Sequence, residues 1–136
     1  MRKLPNRLRR GSAAVEFAFS MLFVLVPLLG VTLDWGWYFY RQLAVQNIVR
    51  DGVRVAVMSD ITTSYRDSVA EHWITAQLDE AGFEPGVDFN SADIVATDDD
   101  VAETVTVSAT VTFNHLLNLL PVGPPDALVV NYTMPY

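Results

Sequence analysis

Residues 9–33 read RRGSAAVEFAFSMLFVLVPLLGVTL, and this stretch decides how the chain is built. Between Ser12 and Leu33 the only charged side chain is Glu16. These 22 residues, at about 1.5 Å each, form a helix of roughly 33 Å, close to the hydrocarbon thickness of a bilayer. The stretch therefore predicts a helix that spans a membrane.

The two flanks of this segment indicate its orientation. Five basic and no acidic residues precede Ser12, and basic flanks stay on the cytoplasmic side. Asp34 follows on the other side, and after it comes a group of aromatic residues of the kind that favours the headgroup level. They are Trp35, Trp37, Tyr38, Phe39 and Tyr40.

A carboxylate within an apolar helix needs an explanation. An acidic side chain costs about 2.5–3.5 kcal/mol at the bilayer centre and less toward its edge, so a plain uncleaved anchor has no need of Glu16. A cleaved secretory signal has a shorter apolar core that ends in small residues, unlike Leu33-Asp34-Trp35. We therefore expect Glu16 to have a partner.

Charge is distributed unequally along the chain, whose formal net charge is −7. Beyond Gly11, 4 of the 9 basic residues and all 16 acidic residues remain, a net charge of −12. A domain with this charge repels phosphates, which argues against nucleic acid as a partner. The chain has no cysteine, so disulfides and thiol chemistry are excluded.

The segment Arg9–Ala18, RRGSAAVEFA, resembles the start of the TadE-like minor pseudopilins of tight-adherence (Tad) pili. The resemblance implies that an inner-membrane prepilin peptidase cuts between Gly11 and Ser12. Ser12 would then carry the new N-terminus, and Glu16 would pair with the new ammonium of a neighbouring subunit in the membrane. The similarity extends to Arg41–Val57 and to the tail, where Leu120-Pro121 precedes a final strand.

The implied organisation is a cytoplasmic leader (1–11), a transmembrane helix (12–34) and a periplasmic or extracellular pilin-like domain (35–136). The implied function is structural: a single-pass protein of the bacterial inner membrane that helps to initiate, cap or stabilise a Tad pilus and so supports surface adhesion. Major Tad pilins usually carry tyrosine after this glutamate and are very short. Here Phe17 follows the glutamate and the chain is long, which indicates a minor subunit. The implied partners are the inner membrane, the prepilin peptidase, other minor pseudopilins, the major Tad pilin and the Tad assembly platform.

Two alternatives remain open. The first is an uncleaved, membrane-tethered module that binds a ligand or an envelope partner; it would retain Met1–Gly11 and would function with leucine in place of Glu16. The second is a pseudopilin of type II secretion, which shares the cleavage but is less similar in the Ala13–Phe17 sequence and in the C-terminal layout.

The rest of the chain predicts an α+β fold. Apolar residues between 42 and 58 recur at steps of three and four, which predicts an amphipathic helix that continues the anchor, with a bend near 34–36 and a kink at Pro27 and Gly30. Its apolar face should pack on the protein's own sheet, with docking on a partner subunit as the alternative. That face comprises Val45, Ile48, Val49, Gly52, Val53, Ala56 and Val57.

A second helix and a small antiparallel sheet are predicted to follow. The helix begins at Ser64 or Tyr65, where Ser64 and Asp67 fit a capping pattern, and it ends at Ala81 before Gly82. Residues 59–64 form a break and 83–90 a linker. Period-two alternation predicts strands at Asp93–Ala96, Thr104–Phe113 and Leu128–Met134, with a loop at Asp98–Asp100, an apolar turn or short helix at His115–Leu120 and a connector at Gly123–Asp126.

Candidate chemistry outside the anchor is sparse. His72 has no ligand-type residue three or four positions away, and His115 stands apart from it in the sequence. The acidic run Asp98–Asp100 is compatible with calcium but lacks the alternation and glycine of an EF-hand loop, which favours a solvated loop. We expect no cofactor, no metal site and no enzymatic activity.

Overall fold

The computed structural model describes residues 7–58, 65–117 and 123–136, with side chains from Ser12 onward. Two helices precede an antiparallel sheet of strand order β1-β2-β3, which confirms the predicted α+β class. The elements are α1 (Arg7–Met58), α2 (Arg66–Glu80), β1 (Ile94–Asp99), β2 (Thr104–Thr112) and β3 (Ala127–Pro135).

The predicted anchor and amphipathic helix form one continuous element. Helix α1 has 52 residues, which at about 1.5 Å per residue gives a rod of roughly 78 Å. The helix contains Pro27 and is not interrupted at residues 34–36. We refer to residues 12–33 as the apolar half of α1 and to residues 34–58 as its packed half.

The packed half carries the predicted apolar face. Five of the seven predicted residues are buried (Val45, Val49, Gly52, Val53 and Ala56), and Ile48 and Val57 are partly buried against the same core. This face packs against α2, β3 and β2, as expected for a helix that covers its own sheet. Gly52 allows the closest approach, because a Cβ there would lie 2.8 Å from Ile74 Cδ1 and 3.2 Å from Trp73 Cε3.

Helix α2 ends by the mechanism that its sequence predicts. Gly82 adopts φ +82°, its N–H donates to Asp79 O at 3.0 Å, and the Phe83 N–H donates to Leu78 O at 3.0 Å. These two bonds satisfy carbonyls that the helix itself leaves unpaired. At the other end of α2, Tyr65 precedes the helix without a side-chain cap. The predicted break at 59–64 and the capping role of Ser64 lie outside the described residues.

The sheet corrects one prediction. Strand β2 matches the predicted strand, with Val105, Val107, Ala109, Val111 and Phe113 buried on one face, and β3 matches closely. Strand β1, however, begins at Ile94 and includes the predicted loop residues Asp98 and Asp99, which pair with Val105 and Thr104. The backbone pairing with β2 overrides the loop preference of aspartate.

A polar cluster around Asp88 joins the linker to α1 and to the loop after β2. The buried Asp88 carboxylate accepts from Asn114 Nδ2 at 2.8 Å and from the Glu84 N–H at 3.1 Å, and it lies 3.8 Å from Arg41 Nη1. The Arg41 guanidinium also lies over the rings of Phe83, at 4.2 Å, and Trp37, at 5.2 Å. The base of the packed half is thereby fixed to the linker and, through Asn114, to the loop after β2.

Candidate membrane and assembly segment

The apolar half of α1 has little contact with the rest of the chain. Of the residues from Ser12 to Leu29, all are exposed except Pro27, which is half-buried. Among the described residues, one helix is long and apolar enough to span a membrane by length and composition; its most apolar window has a mean hydropathy of 2.2, and 6% of that window is buried. Large side chains such as Phe23, which is 78% exposed, have no cover from this chain.

Two of the three predicted site residues, Ser12 and Glu16, lie in the first turns of this half, and Gly11 directly precedes it. Gly11 and Ser12 are both within α1, so the peptide bond between them is helical. Glu16 follows Ser12 by four residues, which places the two side chains on one face of the helix. Both are exposed, and no described side chain forms a hydrogen bond or an ion pair with Glu16. The described part of the chain therefore supplies no partner for this carboxylate.

Asp34 marks the boundary between the two halves, and the structure gives it a role that sequence reasoning did not find. Asp34 is only 4% exposed, and its Oδ1 accepts a hydrogen bond from the Leu117 N–H at 2.9 Å. The two residues are 83 positions apart, so their contact produces no local pattern in the sequence. The only signal is an isolated aspartate directly after the apolar segment.

The aromatic residues at this boundary divide between two environments. Tyr38 packs edge to face on Phe113, with ring centroids 5.2 Å apart, and so contacts the residue that directly follows β2. Phe39 and Tyr40 are exposed, and the Tyr40 ring stacks on Trp37 at 5.6 Å. A ring of partly exposed aromatics thus surrounds the helix where the apolar half ends, as the headgroup level favours.

The described residues offer little other chemistry. They contain no cluster of three or more histidine, cysteine or acidic residues that could hold a metal ion. His72 is exposed, and His115 Nε2 lies 2.9 Å from Asp126 Oδ1. In the acidic run, Asp99 Oδ1 accepts from the N–H groups of Val101 and Ala102 at 3.0 and 3.1 Å, so this carboxylate closes the β1–β2 turn.

Comparison with curated proteins and with solved structures gave no match. A comparison with protein families gave a match, and it covers most of α1. The TadE-like family is structural and pilus-related, as the resemblance implied. Residues 11–54, from the predicted cleavage site through the apolar half into the packed half, match the model of this family, described as TadE-like protein, and connect the chain with the machinery of Tad pili.

Proposed function

We propose that this protein is a minor pseudopilin of a Tad pilus, cut after Gly11, anchored in the inner membrane by residues 12–34 and carrying a periplasmic or extracellular pilin-like domain from residue 35 onward. It helps to initiate, cap or stabilise the pilus and so supports surface adhesion. The observation that carries this proposal is the family match over residues 11–54, which begins at the proposed cleavage site.

The contrast in burial along α1 supports an assembly role. One face of the packed half is covered by its own domain, whereas residues 12–29 of the apolar half are exposed on all sides apart from the half-buried Pro27. A helix that is hydrophobic all round belongs in lipid or among other helices. Both environments are needed by a subunit that waits in the membrane and then enters a fibre.

The spacing of Ser12 and Glu16 gives the pairing a geometry. Four residues correspond to an axial rise of about 6 Å. A neighbouring subunit displaced by that distance along the fibre axis would bring its Ser12 ammonium level with Glu16. In a medium of low dielectric constant an unpaired charge is penalised strongly, so the pair favours this one stagger over others.

The same spacing also permits a contact within one chain. A new ammonium at the N-terminus of α1 opposes the helix dipole, and Glu16 lies on the same helix face within reach of it. Pairing within the chain would stabilise the mature monomer in the membrane. Pairing between chains would exchange that contact for one with a neighbour during assembly.

The position of Gly11 fits a cleavage site. A peptidase binds its substrate in an extended form, so the helical Gly11–Ser12 bond must first unwind. Helix ends fray easily, and glycine lowers helix stability by about 0.5–1 kcal/mol relative to alanine. Unwinding at residues 7–12 therefore costs little and leaves the apolar half intact.

The first test is the intact mass of the protein from membranes of cells with and without the prepilin peptidase. Loss of Met1–Gly11 only in the presence of the peptidase is the expected result. Gly11→Val should block cleavage because the site needs a small residue, whereas the matched Gly11→Ala should still be cut at a reduced rate. A full-length mass in both strains would instead favour a tethered binding module.

The second test concerns Glu16. Glu16→Ala should insert and be cut normally but should be recovered poorly in sheared pilus fractions. Thr32→Ala is the matched control, since the Thr32 hydroxyl donates to its own helix at Leu28 O, 2.8 Å away, and needs no partner. Normal piliation of the Glu16→Ala strain would overturn the pairing hypothesis.

A further inference from the structure

Two neighbouring leucines on the loop after β2 are exposed although the domain has a well-formed core. Leu116 is 56% exposed and Leu117 is 45% exposed. Both follow Phe113, which is buried, along a stretch that has left the sheet. Single exposed leucines are ordinary on protein surfaces, so their position has to decide whether these two have a role.

The position is fixed by Asp34. The hydrogen bond from the Leu117 N–H to Asp34 Oδ1 holds the loop against α1 one residue beyond Leu33, where the apolar half ends. The edge-to-face contact of Phe113 with Tyr38 holds the start of the loop one turn higher. Burial on α1 continues down to Gly30, within the apolar half. The two leucines therefore lie beside the end of the apolar segment.

The loop is also held in shape by its own contacts. The Phe113 N–H donates to Asp126 O at 2.7 Å, His115 Nε2 lies 2.9 Å from Asp126 Oδ1, and Asn114 Nδ2 donates to Asp88 Oδ1 at 2.8 Å. These contacts pair the Asn114 amide and His115 Nε2 within the domain, whereas the buried His115 Nδ1 has no hydrogen-bond partner among the described residues. At the level of Leu33 the loop exposes the apolar side chains of Leu116 and Leu117. They adjoin the exposed apolar surface of residues 12–33.

We propose that residues 114–117 form a second membrane contact, in which Leu116 and Leu117 enter the outer leaflet beside α1. The proposal rests on the membrane-spanning role of the apolar half. Lipid is the occupant because the leucines extend the same apolar surface that residues 12–33 offer to lipid, and the partly exposed aromatic belt at residues 35–40 surrounds that level. The contact fixes the tilt of the domain over the bilayer, which one helix alone would not do.

The test uses the absence of native cysteine. Leu116→Cys in the full chain is spin-labelled and reconstituted in phospholipid vesicles, and relaxation enhancement by oxygen is compared with that by a water-soluble nickel chelate. Oxygen concentrates in lipid and nickel in water, so oxygen should dominate at position 116. Val101→Cys is the matched control, because Val101 is 95% exposed in the turn at the opposite end of β2, and nickel should dominate there.

A third label separates the possible failures. Val24→Cys reports the apolar half itself. Lipid exposure at 24 with nickel access at 116 would overturn the loop contact and leave the anchor intact, while nickel access at both would remove the anchor as well. Exclusion of both reagents at 116, with an immobilised spectrum, would mean that protein covers the loop, and that result would also overturn lipid as the occupant.

Discussion

The two halves of α1 share one uninterrupted helix but are built for different surroundings. In the apolar half, large side chains cover the whole circumference and almost all are exposed. In the packed half the buried side chains form one stripe that meets α2 and the sheet, and the opposite side carries exposed residues such as Gln46, Arg50 and Arg54. Both halves are helical, and they differ in whether their apolar residues recur on one face or all round the helix.

The comparison teaches where each half obtains its stability. The packed half depends on specific neighbours, so its tolerance to change is set by close packing. The apolar half has few neighbours within the chain, so in the membrane role that we propose its tolerance is set by the cost of transfer into lipid. The same substitution should therefore fail in different ways in the two halves.

The largest effects are expected from a new charge. Val53→Asp places an unpaired carboxylate at a fully buried site and should destabilise the domain by about 4 kcal/mol or more. Val24→Asp, at an exposed site in the apolar half, should leave the domain folded but cost about 2.5–3.5 kcal/mol on insertion. Limited proteolysis reports the first effect and carbonate extraction of membranes the second.

Val55→Asp is the control for the packed half, since Val55 is two residues from Val53 and exposed. It should change protease resistance little. Equal sensitivity of Val53→Asp and Val55→Asp would show that the stripe does not form the domain core.

A smaller effect is expected from a single methyl group. Gly52→Ala would bring a Cβ within 2.8 Å of Ile74 Cδ1, and this overpacking should cost about 2 kcal/mol. Gly36→Ala meets no atom within 4 Å and should be neutral or stabilising by up to about 1 kcal/mol, because alanine favours a helix. Urea midpoints of the detergent-solubilised protein would compare the two variants.

The double variant Gly52→Ala with Ile74→Ala tests the assigned cause. Removing the Ile74 side chain makes room for the new methyl, so the two losses should be less than additive. Full additivity would indicate that the cost arises elsewhere.

The attachment of the packed half at Arg41 gives the next effect. Asp88→Ala would leave Asn114 Nδ2 and the Glu84 N–H without their acceptor and the Arg41 guanidinium without its ion pair. We expect a loss of about 1–2 kcal/mol, since unsatisfied buried groups are costly. Urea unfolding would measure it, with the exposed Asp79→Ala as control; equal midpoints for the two would exclude an anchoring role.

The smallest effect is expected at the end of the domain opposite the loop of residues 114–117. Partial burial, followed by the Asp98 and Asp100 carboxylates, raises the pKa of the Tyr136 phenol above its ordinary value. The folded state then keeps this proton to higher pH than the unfolded state, so the contribution to stability is present below about pH 10 and is lost as pH rises further. Tyr136→Phe should show a slightly smaller loss of stability in alkali.

Urea midpoints at neutral and alkaline pH would detect this difference, and Asp100→Asn, which removes one cause of the shift, should recover part of it. If the unmodified protein, Tyr136→Phe and Asp100→Asn all lose the same stability at alkaline pH, Tyr136 does not contribute to that loss.

Elements with a strong period were predictable from the sequence. The stripe of the packed half, helix α2 and strand β2 each repeat apolar residues at the spacing of their own structure, and Gly82 supplies a local stop. Strand β1 was underestimated because Asp98 and Asp99 favour loops locally, while their place in the sheet depends on β2. Local preference fails where pairing with a distant strand decides.

The contacts of Asp34 and Asp88 were not predictable, because they join residues far apart in the chain. Asp34 bonds to a backbone N–H 83 positions away, and Asp88 to an amide 26 positions away. The roles of Gly11, Ser12 and Glu16 remain predictions of a different kind, since the peptidase and the neighbouring subunit that would confirm them are other molecules.

The continuity of α1 has a mechanical consequence. With no loop between residues 33 and 41, any rotation or pull on the apolar half is passed to the sheet as torque or tension rather than absorbed by a hinge. The rotation of the domain about the helix axis, relative to Glu16, is then set by the number of helical residues between them. One residue inserted near Gly36 would turn the domain by about 100° and lift it by about 1.5 Å relative to Glu16, which would put the two ends of the subunit out of phase in the fibre that we propose.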